Sequence, residues 1–235
     1  MNVIKFNTIA STNQYLKEEY QKLSNLTCVT ALHQTNGRGR LGRSWIDNND
    51  LLFSILITDN LSTPSDYSFL IATTLIKVLK QFNPLVKWPN DIIINNKKVA
   101  GILLEAVSID KIECVIIGVG LNTNTKSFSD ELINKADSLS NILNKDIDNN
   151  QLLDKILKQF EIDYYNYCNN DNSYKEIIKN NFYLYNKEIS FDYNNNKLTG
   201  LVIGINDNNE LLVKTKEEVL NIKFGEVTLN NIYSK

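Results

Sequence analysis

The chain has 235 residues, enough for one large domain or a main domain with a small appendage. At this length roughly 70–75% of the unfolded surface is buried on folding, so a core needs neither disulfides nor metal. Charge is close to balanced, 25 basic against 27 acidic residues, which argues against a nucleic-acid or anionic-membrane partner. Cys28, Cys114 and Cys168 form no CxxC pair, and there is neither a long apolar run nor an N-terminal signal pattern. A reducing, cytoplasmic setting is the expectation.

In chain order, Val3–Phe6 reads as a short strand and Thr12–Leu23 as a helix, with Ser11 and Gln14 spaced as a capping box. Thr27–Thr35 is apolar and β-branched, a strand entering the glycine-rich stretch Asn36–Gly42, and Leu51–Thr58 is a further strand. Ser68–Phe82 has helical apolar spacing and stops before Pro84. Leu85–Trp88 is extended before Pro89. Ile92–Asn95 and Lys98–Val107 form a hairpin around Asn95-Asn96, followed by the strand Ile112–Val119. Asp130 to Tyr185 reads as helical, with an apolar stripe from Leu152 to Tyr164 and a second capping box at Ser173 and Glu176. Five short strands follow, Glu188–Tyr193, Leu198–Ile205, Glu210–Thr215, Val219–Phe224 and Val227–Leu229, separated by Asn/Asp-rich turns. The expected fold is α+β: a mixed β-sheet domain with flanking helices over residues 1–185, and a small β-barrel over 186–235.

Only three of the basic residues are arginine, and Arg38, Arg40 and Arg43 fall in one stretch, GRGRLGRSW. The other 22 are lysine, in a chain with 35 Asn and 27 Ile, as A/T-rich coding DNA would give. That bias converts surface arginine to lysine except where a planar bidentate donor must hold phosphate or carboxylate. Gly37-Arg38-Gly39-Arg40-Leu41-Gly42 matches GxGxxG, but a polar turn and then a strand follow it, so no dinucleotide-binding βαβ unit can be drawn. A Gly/Arg loop closing over an anionic ligand is the better physical reading, with Trp45 either at its hinge or in the core. Lys87, Asn90 and Asp91 flank Pro89, and the hairpin folds Lys98 back toward them. Two lysines and a carboxylate around one point suit a nucleoside triphosphate with Mg²⁺, although a surface hairpin with exposed lysines has the same sequence appearance. His33 is the only histidine, and neither GxSxG nor the Walker A pattern occurs.

Taken in order, STNQ at 11–14, QTNGRGRLGRSW at 34–45, KWPNDI at 87–92, KKVAGILLE at 97–105, GVGLN at 118–122 and GEVTL at 225–229 resemble the biotin protein ligase family. That resemblance implies an SH3-like C-terminal barrel and a two-step reaction: biotin and ATP give biotinyl-5′-AMP, then biotin passes to a lysine of the biotin carboxyl carrier protein of acetyl-CoA carboxylase. It implies that Ser11, Thr12, Asn13, Gln34, Gly37, Gly39 and Gly101 surround biotin with Arg38, Arg40 and Lys98, the last three being catalytic. Arg40, Arg43, Trp45, Lys87, Asn90 and Asn122 fall to ATP, Asp91 to a Mg²⁺ contact, and Gly118 to the floor. Biotin, ATP and Mg²⁺ are the implied ligands, with no permanently bound cofactor. Regulatory members of the family carry an N-terminal DNA-binding domain, and ten residues before STNQ leave no room for one. The expectation is therefore a ligase without DNA or membrane partners; a homodimer stays open. A lipoate–protein ligase with similar adenylate chemistry and a non-catalytic biotin-binding module are the alternatives.

Overall fold

The computed structural model describes residues 1–46, 48–61, 63–194, 196–223 and 228–230, the last three as backbone. The first sheet is built from β1 (Val3–Ile9), β2 (Cys28–Gln34), β3 (Leu51–Ile57), β4 (Leu85–Lys87), β5 (Asp91–Ile94), β6 (Lys97–Ser108) and β7 (Ile112–Leu121). Its spatial order is β1-β2-β3-β7-β6-β5-β4, with β1 and β2 parallel and every other pair antiparallel. The sheet is mixed, as expected. Asn95 and Asn96 both take positive φ, the geometry of a tight hairpin turn, and set the β5–β6 register.

Every residue of β3 is buried, because helices cover both faces of the central strands. On one face α1 (Thr12–Glu19) packs Leu16 against Val29, Leu56, Cys114 and Ile116. On the other, α2 (Asp66–Val78), α4 (Asn149–Cys168) and α5 (Ser173–Asn180) close the main core, and the short helix α3 (Leu139–Leu143) falls between α2 and α4 in the chain. Each Leu, Ile or Phe fully removed from water there contributes about 1.5–3 kcal/mol. Helix α1 has only eight residues, so it covers one end of its face and leaves the other end of the sheet open to a loop.

Three expectations are modified. Residues 130–138 are not helical: their backbone serves short turns and the strand β6, with Lys98 N donating to Lys135 O at 2.8 Å and Asp137 N to Lys98 O at 3.0 Å. Leu132 and Ile133, the apolar residues of that segment, are exposed. Ser11 caps α1 by accepting from Gln14 N, but the Gln14 side chain turns to Glu18, so only half the capping box forms. Ser173 caps nothing; it is the first residue of α5, and its N–H is taken by Asp171.

The C-terminal strands β8 (Glu188–Tyr193), β9 (Asn196–Ile205), β10 (Leu211–Lys214), β11 (Val219–Ile222) and β12 (Thr228–Asn230) form an antiparallel sheet in the order β11-β10-β9-β8-β12. Its two outer strands do not pair among the described residues, so the expected barrel is a curved sheet left open between them. Residues 224–227, which hold the end of one predicted strand, the start of the next and most of GEVTL, lie outside the described residues. Ile189, Phe191, Val202, Leu211, Val213 and Ile222 join the same hydrophobic core as the large sheet. Trp88, buried under the KWPND turn with a cis peptide to Pro89, donates its indole N–H to Asn209 O at 3.1 Å. No helix among the described residues is long and apolar enough to cross a membrane.

Candidate active site

Strand register lines the key positions up on the α1 face. Lys87 pairs with Asp91, Asp91 with Gly101, Gly101 with Gly120, and Gly120 with Leu52. The neighbouring row on that face runs Leu103, Gly118, Ser54 and Val29. Strands lie about 4.8 Å apart, so the KWPND, KKVAG and GVGLN motifs meet on one surface although they are separated in sequence.

The α1 end is built on uncharged side chains, backed by one ion pair. Thr12 N–H donates to Gln34 Oε1 at 2.7 Å, and the Thr12 hydroxyl lies 3.1 Å from that oxygen and 2.6 Å from Ser54 Oγ. Ser54 Oγ donates to Asn13 Oδ1 at 2.6 Å, and Asn13 Nδ2 donates to Glu105 Oε2 at 2.7 Å. Lys17 holds the other oxygen of Glu105. A Cβ on Gly118 would sit 2.3 Å from Asn13 Oδ1, so the missing side chain is what admits Asn13 to the sheet. Ser11 is used as the helix cap of α1 and lies buried beside Thr12.

The opposite end is cationic. Lys98 Nζ lies 2.6 Å from Asp91 Oδ1, as the hairpin predicted. Arg40 Nη1 donates to Asn90 Oδ1 at 3.2 Å, while Asn90 Nδ2 donates to Ile102 O at 2.8 Å and pins the turn to β6. Burial lowers the pKa of the Arg40 guanidinium, with Asp91 opposing. Burial also pushes Lys87 down to about 8; Asp91 works against the shift, and Lys98, Lys187 and Arg43 add to it. Among the described residues one carboxylate, Asp91, stands with Lys87, Lys98 and Arg40, an excess of positive charge suited to an anion.

Between the two ends lies Trp45. A Cβ on Gly120 would meet its Cε2 at 2.3 Å, and one on Gly101 would meet its Cζ3 at 2.9 Å, so the indole rests on two glycines. Lys98 Nζ stands 5.4 Å from the ring centroid, within cation–π range, and the indole N–H has no hydrogen-bond partner among the described residues. Trp45 is thus neither core nor simple hinge; it covers the sheet face.

The Gly/Arg loop is a self-paired hairpin. Trp45 N donates to Gly37 O at 3.0 Å and Gly39 N to Arg43 O at 2.7 Å, with Leu41 and Gly42 at positive φ at its tip. It borders a cavity of about 540 Å³ shared with Leu103, Leu104 and Glu105. Arg38 and Arg43 are exposed, unlike Arg40. Asn122 lies apart from the cluster in its bonding: its Nδ2 donates to Asp137 O at 3.1 Å. Ser54, Glu105 and Lys17 were missed in sequence, since a serine in an apolar strand carries no motif. Among the described residues no group of three or more His, Cys, Asp or Glu could hold a metal ion.

The profile of the Biotin/lipoate A/B protein ligase family matches residues 5–122. A bifunctional ligase/repressor BirA of Bacillus spizizenii is 32% identical over 215 residues, covering 86% of this chain and 66% of that protein. The Bacillus subtilis protein of the same name is 31% identical over the same coverage. The chain thus spans about two-thirds of the length of these curated relatives. A biotin protein ligase from Aquifex aeolicus, solved in complex with biotin and ATP, superposes with a TM-score of 0.84 at 29% identity, over 97% of this chain and 98% of that one. On the strength of the match over 5–122, the chain belongs to the biotin/lipoate A/B protein ligase family.

Proposed function

We propose that the chain is an ATP-dependent biotin protein ligase. The observation that carries this reading is the joining of an uncharged hydroxyl–amide pocket and a cation cluster on one sheet face, bridged by glycines beneath Trp45. The names of the relatives and the biotin and ATP in the Aquifex structure support it.

In the first step a carboxylate oxygen of biotin attacks the α-phosphorus of ATP, the bond to the β-phosphate bridging oxygen breaks, and pyrophosphate leaves. In the second, the neutral ε-amine of a carrier-protein lysine attacks the acyl carbon, AMP leaves, and the nitrogen loses a proton. The first step brings two anions together and the second expels one, so the catalytic work is charge neutralisation and alignment. Lys98 exchanges Asp91 for the biotin carboxylate and α-phosphate, and Arg40 and Arg38 close over the adenylate with the backbones of Gly37 and Gly39. Ser11, Thr12, Asn13 and Gln34 take the biotin head, and Gly101, beneath Trp45 and beside Lys98, adjoins the biotin carboxylate. Trp45, Lys87, Asn90, Arg43 and Asn122 belong to the nucleotide side.

Mg²⁺ arrives with ATP in this reading. The donor set suits a shared ion rather than a resident one: Asp91 is the single carboxylate among these cations, and Lys98 already engages it. Phosphate oxygens and water would complete the coordination. The division of labour proposed is biotin and ATP on residues 1–185, with 186–235 as a separate small unit docked against the KWPND turn. A biotin carboxyl carrier domain is the protein partner, and a cytoplasmic location belongs to the same proposal. Purified chain mixed with ATP, Mg²⁺, biotin and a carrier domain should yield biotinylated lysine by mass. Transfer of lipoate in place of biotin would move the chain to the other branch of its family.

A further inference from the structure

The uncharged end of the site holds one proton fewer than its contacts require. Both of its ends are fixed acceptors. Glu105 is held by Lys17 and accepts from Asn13 Nδ2, so Asn13 must turn its oxygen to Ser54. Reversing that amide would set oxygen against carboxylate. Thr12 N–H donates to Gln34 Oε1, so Gln34 also presents an oxygen, and reversing it would set two donors face to face. Between these acceptors the hydroxyls of Thr12 and Ser54 make three O···O contacts, at 3.1 Å to Gln34, 2.6 Å to each other and 2.6 Å to Asn13. Three full two-centre bonds need three protons and two hydroxyls carry two, so one contact, the long one to Gln34, is left without its own or shares the Thr12 proton. Ser54 is fully sequestered and Thr12 nearly so, where an incomplete hydrogen bond is most costly.

An N–H reaching Gln34 Oε1 or Thr12 Oγ1 from the ligand side supplies the missing proton. Thr12 then gives its own to Ser54, and Ser54 gives its own to Asn13. We propose that Ser54 is a positioning residue, acting through Thr12, that makes this end of the site demand an N–H donor. It thereby selects an acid bearing a cyclic urea over one whose ring has no N–H. The inference rests on the biotin reading above and extends it to a specificity determinant.

The test is biotin-dependent ATP–pyrophosphate exchange by the full chain. Biotin is compared with the two cyclic carbamates in which one ureido N–H is replaced by oxygen, nearly the same shape without the donor. The parent chain should prefer biotin to at least one carbamate by roughly a hundredfold in kcat/KM, since the mismatch leaves buried acceptors facing one another. Ser54→Ala removes one hydroxyl and with it the deficit. Glu105→Gln frees Asn13 to reverse, so that its Nδ2 supplies the missing proton to Ser54 without loss of a hydroxyl. Each variant should shrink the preference about tenfold or more, with the loss falling on the KM for biotin rather than on kcat. A preference unchanged in both variants overturns the proposal. Should Ser54→Ala fail to fold, the unchanged or reduced preference of Glu105→Gln decides alone. A parent chain with no exchange on biotin overturns instead the ligase reading, and this inference with it.

Discussion

At the α1 end of the sheet face, Thr12, Asn13, Ser54 and Gln34 are uncharged and bonded to one another; at the β4–β6 end, Lys87, Lys98 and Arg40 crowd a single carboxylate. The first arrangement recognises by direction, because a hydroxyl or amide is satisfied only by the correct donor or acceptor. The second works by excess charge, which tolerates small displacements but demands an anion. A ligand that joins an uncharged ring to a phosphate needs both, and strand register sets them side by side.

The sharpest break in this contrast comes from the cationic end. Lys98→Ala should cut biotin-dependent pyrophosphate exchange at least a hundredfold, or about 3 kcal/mol of transition-state stabilisation, in a chain that still folds. Arg40→Ala should do the same, and near-normal exchange in Lys98→Ala would remove that residue from the reacting centre. Disturbing the boundary comes next. Gly120→Ala places a methyl within 2.3 Å of the Trp45 indole, so kcat/KM for ATP should fall by one to two orders of magnitude, corresponding to about 1–3 kcal/mol of overpacking. Tryptophan fluorescence should report the displaced ring, since Trp88 stays buried and serves as a constant background.

A pH series sharpens the contrast further. Burial holds Lys87 at about 8, below its unfolded value, so the ligand-free fold favours the neutral amine and its stability rises as pH climbs through that value toward the unfolded one. A bound phosphate favours the charged form. ATP affinity should therefore fall, by up to about tenfold, as pH rises through 8, while Lys87→Arg should flatten the profile. Biotin affinity measured alone should stay nearly level over the same range; a matching fall would mean that the two ends are not chemically separate. The smallest effect belongs outside both ends. Asn209→Ala removes a side-chain bond to Asp66 but leaves the carbonyl that Trp88 uses, so it should cost about 1 kcal/mol and a few degrees in Tm, with exchange retained.

Much of this contrast was legible in the sequence, and unevenly so. Asn95-Asn96 between two apolar runs specified the hairpin, and the hairpin specified the meeting of Lys98 with Asp91. Three arginines in a lysine-rich chain marked the loop. Ser54 left no trace, because its meaning depends on a register with Gly118 and on Asn13 arriving from a helix 41 residues away in sequence. Residues 130–138 misled because sequence cannot reveal that a backbone will be spent on a neighbouring strand. Trp45 was ambiguous for a related reason: the two glycines that receive its ring lie on separate strands.

The bond from Trp88 to Asn209 also has a consequence in time. A protein is made from its N-terminus, and the two partners lie 121 residues apart. While synthesis has not yet passed Asn209, the indole beneath the phosphate-side turn has no carbonyl to meet, however complete the seven-stranded sheet behind it. Chains cut short before Asn209 would keep the five motifs from STNQ to GVGLN and still lack the support of KWPND, so the phosphate-side turn is completed only once synthesis has passed that residue.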